Sequence, residues 1–97
     1  MNKVFITNNT LHDFTLANKY GELVDITTGN APIFKTDIIK GIITKALADF
    51  NKEDYLLIAG PTLISMIALD ELRKNGHETV KCLIFDAKLQ NYVVRHI

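Results

Sequence analysis

Apolar positions along this chain fall in short blocks whose spacing switches between a strand-like run and a helix-like stripe. "KVFIT" (3–7) is a β-branched and aromatic run closed by Asn8-Asn9, the pattern of a buried strand. "LHDFTLANKYG" follows, where Asp13 or Thr15 can cap a short helix and Gly21 can stop it. "ELVDIT" (22–27) reads as a second strand, ended by Thr28-Gly29-Asn30. Over 36–50 the apolar residues Ile38, Ile39, Ile42, Ile43, Ala46, Leu47 and Phe50 fall on one stripe, which predicts an amphipathic helix. Thr36 is its expected N-cap, and Asp37 suits its first turn.

"DYLLIA" (54–59) is continuously apolar, as a strand covered on both faces should be. Residues 62–75 form the next predicted helix, apolar nearly all round to Leu69 and then charged, with Gly76 as its stop. "TVKCLIFD" (79–86) and "NYVVRHI" (91–97) are expected to pair as an antiparallel hairpin. Strands alternating with helices imply a mostly parallel sheet with helices on both faces. Right-handed crossovers then favour strand order 2-1-3-4-5, the last strand antiparallel. The expectation is a single α/β domain over 1–97, small, three-layered and Rossmann-like.

Composition narrows the function classes more than it selects one. Eleven basic residues balance eleven acidic ones, so no overall field draws the chain to nucleic acid or anionic lipid. The single Cys82 cannot form an intramolecular disulfide, which fits a reducing compartment. The stretch Tyr55 to Leu69 is too short for a membrane helix and is broken by Gly-Pro. "MNKVFITNN" turns polar too early for a secretory leader, and a cytoplasmic location is expected.

In an open parallel sheet, ligands bind beyond the carboxyl ends of the strands, near the point where strand order reverses. That rule gathers Asn8, Asn9, Thr10, His12, Gly60 and Thr62 as candidate ligand-binding residues. Gly60-Pro61-Thr62 invites two readings. A helix N-terminus can hold an anion on its free N–H groups. Yet Pro61 removes one donor, and neither a GxGxxG nor a GxxxxGK[ST] pattern is present. The plainer reading makes Gly60 a turn and Pro61 the start of a helix.

His12-Asp13 could supply a general acid or base, but Asp13 has a simpler use as a cap. His12, His77, His96 and Cys82 show no metal-ligand spacing, and Cys82 sits mid-strand like a small core residue. No catalytic residue, metal or cofactor is assigned. Surplus apolar surface on helix 62–75 predicts a homodimer.

"HDFTLANKYGELVDIT", "NKEDYLLIAGPTLISMIA" and "VKCLIFDAKLQNYVV" resemble a group of small proteins from bacteriophages and mobile elements. The shared features fall on His12, Asp13, Tyr20-Gly21-Glu22, Val24, Glu53-Asp54-Tyr55 and Phe85-Asp86. The resemblance spans nearly the whole chain and implies a phage-type accessory protein. A looser likeness is to the viral ring nucleases that degrade cyclic oligoadenylates, through the opening strand and the strand-Gly-helix junction. Those nucleases carry a catalytic histidine after the glycine, where this chain has Pro61. The leading expectation is a non-catalytic module that binds a host protein or a small anionic ligand, such as a nucleotide, with counter-defence as one role it could serve. The alternatives are a nucleotide-directed hydrolase using His12 and a structural or assembly protein.

Overall fold

The structure is a computed structural model that describes residues 2–97. Its centre is strand β1 (Lys3–Asn9), which pairs in parallel with β2 (Glu22–Thr28) on one side and β3 (Tyr55–Leu57) on the other. Strand β4 (Lys81–Asp86) adds in parallel to β3, and β5 (Asn91–His96) closes the sheet antiparallel to β4. The order β2-β1-β3-β4-β5 is the predicted one.

Side-chain alternation along β1 splits the core in two. Phe5 points with Ile26, Leu56 and Cys82 toward helices α1 (Thr36–Ala46) and α2 (Thr62–Lys74), where Ile39, Ile43, Ile64, Ala68 and Leu72 meet them. Val4 and Ile6 point the other way, with Leu57, Leu83 and Tyr92, toward Phe14 and Ala17. The connection containing Ala17 is a 3-10 helix, Thr15–Tyr20, so that face is covered by one tight turn of chain and no α-helix. Crossover handedness explains the asymmetry. From β2 to β3 and from β3 to β4 the chain steps one way across the sheet, and from β1 to β2 it steps the other. Connections of one hand must then lie on opposite faces.

Boundaries moved where packing outweighed pattern. The first helix ends at Ala46 and not at Phe50, because the chain tightens through Ala48 N–H to Lys45 O and Phe50 N–H to Leu47 O. That turn drops Phe50 inward against Phe5, ring centroids 5.3 Å apart. Lys35 takes the N-cap position expected of Thr36, with no side-chain capping bond. Ile38 and Ile42 lie on the edge of the predicted stripe and stay exposed.

Strand β3 is shorter than 54–59 at both ends. At its start, buried Asp54 leaves the ladder to accept from Lys3 N–H (2.8 Å) and Asn51 N–H (3.0 Å). At its end, Ala59 bonds a side chain in place of a neighbouring strand. Helix α2 closes as expected at Gly76, φ +92°, with His77 N–H on Leu72 O and Gly76 N–H on Arg73 O. Its apolar surplus is largely absorbed: Ile67 and Leu69 pack on the core, and Met66 is left exposed.

Two glycines should respond in opposite ways to alanine. Gly60 has φ +80°, and a Cβ there would lie 2.6 Å from Asn8 Cβ. Gly60→Ala should cost about 1–3 kcal/mol. Gly41 lies in α1 with nothing within 4 Å of an added Cβ, so Gly41→Ala should stabilise by roughly 0.5–1 kcal/mol. Urea unfolding midpoints of the two variants check both signs.

Candidate functional site

At the carboxyl end of β1, three polar side chains turn inward. Thr7 Oγ1 donates to Ala59 O (2.6 Å) and accepts from Ala59 N–H (2.8 Å), extending the β1–β3 contact past the end of the ladder. Thr27 Oγ1 lies 2.7 Å from Thr7 O and 2.9 Å from Asn8 Oδ1, two acceptors for its one hydroxyl proton. Asn8 Nδ2 donates to Gly29 O at 3.3 Å, which orients the amide with Oδ1 toward the threonine. Thr7, Asn8 and Thr27 are all buried, as such polar groups can be only when paired.

This clasp answers the question raised by Gly60-Pro61-Thr62. Gly60 is required where Asn8 presses against it, and its positive φ turns the chain into α2. Both constraints come from the protein itself. Thr62, the first residue of α2, is exposed and lines neither of the clefts beside the junction.

Those two clefts flank the Asn8–Gly60 contact. The first, about 450 Å³, is lined by Asn8, Thr10, Asn30, Phe34, Lys35 and Pro61 among others. The second, about 360 Å³, is lined by His12, Asp13, Phe14, Gly60, Phe85 and Tyr92, with Ile58 and Ala59. The six candidate residues are therefore not brought to one place. Asn8 and Thr10 belong to the first cleft, and His12 and Gly60 to the second. Asn9 is turned to Asp25 through Nδ2 (3.1 Å), while its Oδ1 accepts from Leu11 N–H (3.2 Å).

His12 is exposed, its ring edge-on to Phe14 with centroids 6.2 Å apart. Asp13 does not orient it: Asp13 Oδ1 accepts from Thr15 N–H at 2.9 Å. That backbone bond, helped by the Thr15 hydroxyl, holds the Asp13 carboxyl below its ordinary value. Tyr92 has its phenol raised, first by burial and then by the charge of Asp13. Among the described residues no three of His, Cys, Asp and Glu gather closely enough to hold a metal ion. Among the described residues no helix is long and apolar enough to cross a membrane.

Residues that the candidate set missed are apolar. Leu11 is fully exposed at φ +68°, and Phe34 is 95% exposed. Phe85 and Leu89 are exposed at the β4–β5 hairpin, on the same carboxyl edge of the sheet. For Leu11 and Leu89 the sequence signal was a large apolar residue inside an otherwise polar loop; Phe85 sits at the end of an apolar strand and Phe34 follows Ala31-Pro32-Ile33, where nothing marks them as exposed.

A family model described as Phage Pam3 gp32-like protein matches residues 2–97. Searches of curated proteins and of solved structures each give no significant match. The match is to the phage family and not to the viral ring nucleases.

Two outcomes test this geometry. Asn8→Ala should unfold about 1–3 kcal/mol more easily, since it removes a buried amide bonded to Thr27 and Gly29 O and leaves its space beside Gly60 unfilled. Cys82 is buried, and burial pushes its thiol up to about 11. Below that pH the group stays a neutral thiol, so a thiol reagent at mildly alkaline pH should label Cys82 only after denaturant is added.

Proposed function

The chain belongs to the Phage Pam3 gp32-like protein family, and we propose that it works as a non-catalytic binding module whose carboxyl edge docks on a host protein. One observation carries this reading: Leu11 and Phe34, large apolar side chains left almost wholly in solvent, stand beside the clefts at that edge. Exposed apolar side chains of this type lose water when a partner covers them. Phe85 and Leu89 extend the same apolar rim. Interference with a host defence protein is one role such a module can serve from a phage-type gene.

The hydrolase alternative has less to stand on. His12 lacks an orienting carboxylate, and Thr62 does not enter the His12 cleft. A small anionic ligand would find Lys35 in the first cleft but the Asp13 carboxylate in the second. The homodimer expected along α2 now rests on Met66 and the half-buried residues beside it.

Phe34→Asp and Leu11→Asp should leave the thermal midpoint unchanged and abolish capture of a discrete host protein by the tagged chain. Incubation with linear and cyclic oligonucleotides provides the counter-test. Sustained turnover by the parent, abolished in His12→Ala, would replace the binding reading with the hydrolase one.

A further inference from the structure

The second cleft has a chemistry of its own. Four of its walls are aromatic: His12 and Phe14 meet edge to face, and Phe85 and Tyr92 do the same with centroids 5.4 Å apart. Asp13 is the one carboxylate in the lining, and no lysine or arginine lines the cleft. We infer that this cleft receives a guanidinium or alkylammonium group, an arginine or lysine side chain presented by the partner protein. The inference rests on the binding-module reading and names the chemistry that the partner must bring.

Three physical features favour that occupant over others. Aromatic faces carry partial negative charge and attract a cation, most strongly where water is displaced. Asp13 adds a full negative charge to the lining of the same cleft, its Oδ1 held in place by Thr15 N–H. An anion placed there would meet Asp13 with no compensating cation. The contrast with the first cleft, which does hold Lys35, makes the two sides of the junction complementary to opposite charges.

The walls are also built for reception. Phe14 and Tyr92 are fixed in the core on the 3-10-helix side of the sheet, and the backbone at Gly60 forms the floor without a side chain. Phe85 is 44% exposed, so its ring is open to contact with a bound side chain. The volume, about 360 Å³, lies within the range of small ligand pockets, large enough for a long side chain and its neighbours.

The test titrates the intact chain with N-acetyl-arginine N-methylamide and follows backbone amide shifts. The uncharged citrulline analogue and adenosine monophosphate serve as controls. The arginine probe should shift the amides of Asp13, Gly60, Phe85 and Tyr92 saturably, and the citrulline probe should bind more weakly. Asp13→Asn and Phe85→Ala, both at exposed positions, should each weaken the arginine probe by about two- to fivefold while leaving distant amides in place. Stronger shifts of these amides by adenosine monophosphate would overturn the inference. So would the absence of any shift with the arginine probe at tens of millimolar. If the arginine probe fails while Phe34→Asp still abolishes host-protein capture, the cation assignment falls and the binding module stands.

Discussion

The contact between Asn8 and Gly60 sets the layout of the carboxyl edge. Strand β1 lies between β2 and β3, so its end is where the chain's two directions of travel part. An open sheet leaves a crevice at such a point, and in many α/β proteins a ligand occupies it. Here the Asn8 side chain fills it, held by Thr27 and Gly29 O on one side and pressed on Gly60 on the other. Thr7 then locks the end of β3 through both polar groups of Ala59. A crevice closed by paired, buried amides is a structural joint. Its free energy lies in satisfied hydrogen bonds, each costly to leave unmade.

Two clefts open on the flanks of this closed centre. The first cleft opens beside Ala31 and Ile33, which pack on the helix-side core. The second opens beside Phe14 and Tyr92, which belong to the opposite core. Each cleft therefore inherits rigid walls from a different hydrophobic cluster. The clefts also differ in charge, with Lys35 in the lining of one and Asp13 in the lining of the other. Registration by unlike charges around apolar contacts is how docking surfaces gain specificity beyond area alone.

The fold was legible because its signals were periodic. Apolar runs with turn residues between them gave strand number and order, and a Gly-Pro junction gave the start of α2. What periodicity missed was competition between local pattern and packing. Phe50 continued the helical stripe on paper, but its ring was worth more against Phe5 than on another helical turn. Asp54 belonged to an apolar run, yet two backbone N–H groups claimed its carboxylate. The candidate site was legible only as an edge. The sequence placed Asn8, His12 and Gly60 near the same strand ends, but which groups were already paired depended on side-chain partners far apart in sequence. Asn8 and Gly29, twenty-one positions apart, are the plainest instance.

Leu11 carries the argument one step further. A non-glycine residue at φ +68° sits in a sparsely populated conformation that costs on the order of 1–3 kcal/mol. Burial could offset that cost, but the Leu11 side chain is fully exposed and gains nothing from the core. What holds the conformation is Asn9: its Oδ1 accepts from Leu11 N–H while its Nδ2 is braced on Asp25. Asn9 was singled out as a ligand residue, and its side chain instead props the loop that carries Leu11. Glycine or asparagine at position 11 would relieve the strain and remove an apolar group from water. Strain and exposure coincide at one leucine, and under the proposed docking a partner would cover its side chain.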